Sequence, residues 1–186
     1  HPVVRAAWRR RPGRPTLLVY GHFDVQPPGP LAAWHAPPFE PVVRGEYLLG
    51  RGVSDDKGPL LAHVAALDWW LSSTGALPLN VICLFDGEEE IGSPNIAGFV
   101  RANKEVLKAD LAVTADGPRH ASGAAAIKFG SRGVASFELR CRHASRDVHS
   151  GNFGGVVPNP IWTLVHLLGT MKNEDGEIPI EGFTDR

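Results

Sequence analysis

Asn80-Val81-Ile82-Cys83-Leu84-Phe85 is the stretch from which the fold can be read. Apolar side chains follow one another without alternation, and branched and aromatic residues dominate. Such a run predicts a strand buried on both faces. Thr16-Leu17-Leu18-Val19-Tyr20, which stops at Gly21, and Leu111-Ala112-Val113-Thr114-Ala115 have the same texture. Between the first two runs the period changes. From Gly58, residues Leu60, Leu61, Val64, Leu67 and Leu71 fall on one helical face, and Gly75 with Pro78 closes the helix. A second helix is expected from Pro94 to Lys108. Ile96, Phe99, Val100 and Val106 form its apolar face, with Ser93 as N-cap and Pro94 at the first helical position. Strand, helix, strand, helix, strand over residues 15–116 is the grammar of an α/β domain with a mostly parallel sheet flanked by helices.

Outside this unit the pattern weakens. Residues 1–14 carry Arg5, Arg9, Arg10, Arg11 and Arg14 and read as a solvated loop, with a nucleic-acid arm as the alternative. Residues 26–45 are rich in proline and read as loop. Beyond Gly130 a half-exposed strand is expected over Val134–Arg142, then a Gly-rich turn, then a helix from Pro160 to Met171. A domain boundary is placed so that 1–130 form one domain and 131–186 begin a second with a thin core.

Composition narrows the function classes. Apolar residues make up 43% and charged residues 21% of the 186, with formal net charge −1. That excludes a disordered chain and offers no global field for nucleic acid or an anionic membrane. No apolar run approaches the ~18 residues of a membrane span. Cys83 and Cys141 both lie in strand-like runs and read as buried free thiols. The sequence begins at His1 without a charged-then-apolar leader and stops at Arg186 without a closing element. The expectation is a piece of a longer, cytoplasmic enzyme.

The carboxylates are placed unevenly. Asp24, Asp55, Asp56, Asp86, Glu88, Glu89, Glu90 and Asp116 all sit at or just past the C-terminal ends of expected strands, or in the loops that follow. Ligands bind at that edge of an open α/β sheet. Like charges gathered there need a cation, so a divalent metal site is the simplest resolution. In an extended segment His22 and Asp24 share a side, one as ligand and the other as its orienting carboxylate; alone the pair also reads as a surface contact. Asp55-Asp56 leads into a helix, where Asp56 could cap and Asp55 could bridge two metals. Glu89 and Glu90 can divide labour between a metal and its bound water, or form an acidic helix start. Asp116 would add a ligand, or is a turn residue before Gly117-Pro118. His149, in Asp147-Val148-His149-Ser150-Gly151, is presented by a Gly-rich loop that also reads as a structural turn.

Taken together, Gly21-His22-Phe23-Asp24-Val25-Gln26-Pro27, Gly50-Arg51-Gly52 through Asp55-Asp56-Lys57-Gly58-Pro59, Gly87 through Ser93, and His149-Ser150-Gly151 with Gly154-Gly155 resemble the dinuclear zinc peptidases of the aminoacylase, glutamate carboxypeptidase and carnosinase family, in its dipeptidase branch. The resemblance implies that His22 and Asp116 bind one zinc, Glu90 the other, and Asp55 both. It implies Glu89 as general base and later general acid, and Asp24 as the residue that orients His22. His149 would polarise the substrate carbonyl in the neighbouring subunit's site. A non-proline cis peptide is implied between Asp55 and Asp56. Residues 131–186 would begin a smaller α+β lid and dimerisation domain. The family's last zinc-ligand histidine and its substrate-carboxylate-binding region have no match in this sequence, so the piece is not expected to be competent alone.

The implied reaction is metal-dependent hydrolysis of an amide bond in dipeptides or small peptides, with two zinc ions per complete subunit and manganese or cobalt as alternatives. The implied assembly is a homodimer without nucleic-acid or membrane partners. Two other functions fit the same residues: an N-acyl amino acid deacylase or desuccinylase, and an inactive remnant or binding module.

Overall fold

The computed structural model describes residues 2–118, 120–124 and 126–183. The chain divides into two units, His1–Ala126 and Ile127–Arg186.

The first unit is built on a four-stranded sheet. Its strands are β1 (Val4–Trp8), β2 (Thr16–His22), β5 (Asn80–Asp86) and β6 (Leu111–Thr114), in the order β1-β5-β2-β6. β2 runs parallel to both β5 and β6, and β1 pairs antiparallel with β5 at one edge. A separate hairpin pairs β3 (Val42–Arg44) with β4 (Tyr47–Leu49). The long helix α1 (Lys57–Thr74) connects β4 to β5 and ends at Gly75 in the left-handed conformation. Two short helices, α2 (Ile96–Ala102) and α3 (Lys104–Leu107), connect β5 to β6.

The continuous apolar run of β5 is explained by packing on both faces. Val81 and Cys83 join Val19 and Leu77, with Leu67 of α1 against them. Ile82 and Leu84 point the other way and join Leu107, with Ile96 and Phe99 of α2 against them. A strand covered on both sides keeps its polar residues for its ends, here Asn80 and Asp86.

Several expectations need correction. The N-terminal arginine segment is not a loop: Val4–Trp8 forms the edge strand β1. Arg9 donates to the carbonyls of Val106 and Lys108, and Arg11 to that of Leu77, so these two arginines tie β1 to neighbouring segments. The proline-rich stretch ends in the first strand of the β3–β4 hairpin, where Gly45 supplies the positive φ that a tight turn requires. The second helix is broken at Asn103, whose side-chain amide donates to the Phe99 carbonyl and ends the first segment. Ser93 is not its cap; Asn95 precedes the helix, and the Ser93 hydroxyl is engaged by Asp86. The expected face of α1 is only partly covered: Leu67 packs inward, whereas Leu61, Val64 and Leu71 remain exposed.

In the second unit, α4 (Ser150–Phe153) precedes α5 (Pro160–Met171), which spans the expected residues and is capped by the Asn159 side chain. The strand expected over Val134–Arg142 is not formed. A strand exists only by pairing, and no described residue of 127–183 offers it a partner. Val134 and Phe137 are accordingly exposed, and Cys141 is half-buried, not buried. Among the described residues no helix is long and apolar enough to cross a membrane.

The packing predicts two results. Ile82→Ala, at a fully buried position, lowers unfolding free energy by about 2–5 kcal/mol in a denaturant titration. Glycine-to-alanine changes take opposite signs in two helices. A Cβ at Gly58 would lie 2.1 Å from the Val53 carbonyl oxygen, so Gly58→Ala destabilises by about 1–3 kcal/mol. A Cβ at Gly98 meets nothing within 4 Å, so Gly98→Ala stabilises by about 0.5–1 kcal/mol in the same measurement.

Candidate metal centre

The register of the sheet assembles the site. His22 and Asp86 end adjacent parallel strands as direct partners, and Thr114 of β6 pairs with Tyr20. The loops that leave these strand ends carry Asp24, Glu88, Glu89, Glu90 and Asp116. Chain segments far apart in sequence therefore deliver their acidic groups to one edge.

His22 is the centre of the group and is wholly buried. Its Nε2 lies 2.9 Å from Asp55 Oδ1, 3.6 Å from Asp116 Oδ2 and 3.9 Å from Glu89 Oε2. Its Nδ1 faces Asp24, 3.3 Å from Oδ1 and 3.2 Å from the carbonyl oxygen. One ring nitrogen thus faces the carboxylate cluster, and the other is held by Asp24. Asp24 also anchors the glutamate loop, since its two carboxylate oxygens accept the backbone N–H groups of Glu89 and Glu90, at 3.2 and 3.0 Å.

His22, Asp55 and Asp116 each offer a donor atom, all within 4.8 Å of one another. Ligand atoms about 2 Å from a tetrahedral zinc stand roughly 3.4 Å apart. The imidazole-to-carboxylate distances of 2.9 and 3.6 Å bracket that spacing. One imidazole and two carboxylates suit zinc, and equally manganese or cobalt. The residues present therefore fit a divalent ion.

Electrostatics agree with a site short of positive charge. Burial pushes His22 toward the neutral form, but the Asp55 carboxylate and the charge of Glu89 outweigh it and the net shift is upward. Glu89 is raised by burial and by the charges of Asp116, Glu90 and Asp55, against the pull of His22. Asp56 is also raised, chiefly by burial, although its Oδ2 accepts the His22 backbone N–H at 3.1 Å. Asp56 makes no side-chain capping bond to α1, so its contact is with the strand end. The Asp55–Asp56 peptide is cis, as the resemblance implies.

Glu90 stands apart from the group of three donors. Gln26 holds it: the backbone N–H donates to Oε1 at 3.2 Å, and the side-chain amide donates to Oε2 and to the Glu90 carbonyl, both at 2.9 Å. Sequence reasoning does not single out Gln26; its place two residues after Asp24 is the available signal.

In the second unit, His149 caps α4, with Nδ1 accepting the Gly151 N–H at 3.0 Å. A Cβ at Gly151 would come within 3.0 Å of the imidazole, so a larger residue there would displace the His149 ring.

Comparison with known proteins agrees with this geometry. Residues 18–179 match the family described as peptidase family M20/M25/M40. The chain is 35% identical, over its whole length and 40% of the relative's, to the Cys-Gly metallodipeptidase dug1 of Schizosaccharomyces pombe. It is 34% identical to the human Beta-Ala-His dipeptidase, with 99% of this chain and 37% of the relative covered. Among solved structures it is similar to an M20 family metallo-carboxypeptidase from Sulfolobus solfataricus, with TM-score 0.80, 31% identity, and coverage of 100% of this chain and 42% of the other. It is likewise similar to the dipeptidase Dug1p of Saccharomyces cerevisiae, with TM-score 0.70, 29% identity, and coverage of 97% and 39%. The chain thus spans about two fifths of the length of the relatives it matches. A match across most of its residues, on a sheet edge that gathers an imidazole and its surrounding carboxylates, establishes that the chain belongs to peptidase family M20/M25/M40.

Proposed function

We propose that the protein carrying this chain is a metal-dependent hydrolase of amide bonds in dipeptides or small peptides, with Glu89 as its proton-transfer group. The observation that carries this reading is the convergence of Asp55, Asp116 and Glu89 on Nε2 of the buried His22. The metallodipeptidase names of the relatives support the substrate class. In this reading His22, Asp55 and Asp116 hold one ion, and Asp55 and Glu90 serve a second. Zinc is the first choice, with manganese or cobalt as alternatives.

A bound metal supplies Lewis-acid polarisation of the substrate carbonyl and lowers the pKa of a water toward ~7. Glu89 takes the proton of the attacking water and returns it to the leaving amine. A carboxylate raised by burial and by its acidic neighbours suits a group that must hold a proton between the two steps. Asp24 orients His22 from the side opposite the cluster. His149 donates from Nε2 to the substrate carbonyl. Its Nδ1 already accepts from Gly151, which places the proton of the neutral ring on Nε2. That donation reaches the site of a second subunit in a homodimer joined through a lid domain begun by the second unit. A cytoplasmic location belongs to the same reading and rests on the sequence alone.

Three measurements test it in the full-length protein. Glu89→Gln retains metal in elemental analysis but loses about 10²–10⁴-fold in kcat on Cys-Gly or β-Ala-His; retained turnover removes Glu89 from its role. Stripping the wild type with a chelator abolishes hydrolysis, and zinc restores it. Turnover of N-acyl amino acids in preference to dipeptides replaces the peptidase reading with a deacylase.

A further inference from the structure

The 87–92 loop is the only described segment that presents two adjacent glutamates to the carboxyl edge of the sheet, and its ends are tied together beneath the site. Asp86 is 1% exposed, at the end of β5. Its Oδ2 accepts the Ser93 hydroxyl at 2.6 Å, and its Oδ1 accepts the Glu88 N–H at 3.0 Å. The Tyr20 hydroxyl approaches the same Oδ2 at 3.4 Å. The backbone closes the same loop, with Ser93 N–H donating to the Glu88 carbonyl at 2.8 Å. The Glu88 carboxylate, 3% exposed, takes both bonds of the Asn95 amide at 2.9 and 3.1 Å. On the side facing His22, Asp24 receives the Glu89 and Glu90 amides.

Ser93 has φ +49, the only positive φ at a non-glycine residue among those described. A β-carbon is disfavoured there, and glycine would relieve that cost. Glycine would also remove the hydroxyl that reaches Asp86.

We propose that Asp86 and Ser93 form a buried clasp that positions the Glu89–Glu90 pair, and that Ser93 is needed for its hydroxyl and not for its backbone conformation. The proposal rests on the peptidase reading for the roles of Glu89 and Glu90. Neither clasp residue touches substrate or metal; both act through the loop. Residues that orient metal-binding and proton-transfer groups in this way typically change affinity or rate by 10–100-fold when removed.

The test uses the full-length protein with Ser93→Gly, Ser93→Ala and Asp86→Asn, and zinc affinity by competition with a chromophoric chelator. Both Ser93 variants are expected to bind zinc about ten-fold more weakly and to lose about ten-fold in kcat per zinc-loaded molecule. Amides of residues 87–93 exchange faster with solvent deuterium in the zinc-free variants than in the zinc-free wild type. Ile82→Val is the structural control: it lowers stability and leaves zinc affinity and loop exchange unchanged. Wild-type affinity, kcat and exchange in Ser93→Gly overturn the proposal, even if Ser93→Ala is impaired, because that pattern assigns Ser93 to backbone conformation. Should Asp86→Asn fail to fold, the Ser93 pair still decides. Glu89→Gln in the same series separates the two readings: full turnover there defeats the assigned role of Glu89, while loop exchange in the Ser93 variants still reports on the clasp.

Discussion

A buried imidazole surrounded by carboxylates sets the terms for the rest of this chain. His22 has no exposure to solvent, and Asp24, Asp55, Glu89 and Asp116 all reach it within 4 Å. Carboxylates crowded this closely repel one another, and burial makes the repulsion harder to screen. The upward shifts of His22 and Glu89 record the same imbalance: the cluster seeks either protons or a cation. The sheet has to hold these groups together against that repulsion. It does so with main-chain bonds to carboxylates, from His22 to Asp56 and from Glu89 and Glu90 to Asp24.

The supporting residues are therefore polar and buried at the same edge where the core ends. Asp56, Asp86 and Glu88 are each nearly excluded from solvent, and all three accept hydrogen bonds that fix a loop or a strand end. Such groups are tolerated only when bonded, since an unpaired buried carboxylate is costly. Below this layer, β5 packs two apolar faces against helices and gives the edge a rigid base. The proposed chemistry thus stands on strand ends whose own side chains are locked.

Local sequence was informative where the pattern depended on one residue and its near neighbours. The runs around Val19, Ile82 and Val113 announced strands, but burial on both faces holds for the inner β5 and not for β6, an edge strand whose Leu111, Ala112 and Thr114 are exposed. The candidate residues were legible because acidic groups followed those runs, and because their motifs resemble a known family. Pairing partners were less legible. β1 was hidden by the arginines in and after it; the guanidinium groups of Arg9 and Arg11, which follow the strand, find carbonyls 66 to 99 residues away in sequence. The segment 134–142 alternates like a strand, yet alternation cannot supply the neighbour that a strand needs. Ser93 looked like a helix cap because serine before proline usually is one; a buried aspartate across the loop claimed its hydroxyl.

By itself the sequence determined the alternation of β2, α1, β5, the helical segment after it and β6, the clustering of acids after those strands, and the family. Those properties are written in hydrophobic period and in motif, which depend on residues close along the chain. Tertiary structure alone decided which nitrogen of His22 faces the cluster, that Gln26 grips Glu90, and that Asp86 serves the loop beneath the site. The first two outcomes depend on strand register and on contacts between segments tens of residues apart, and the third on the path of the 87–92 loop, none of which hydrophobic period encodes.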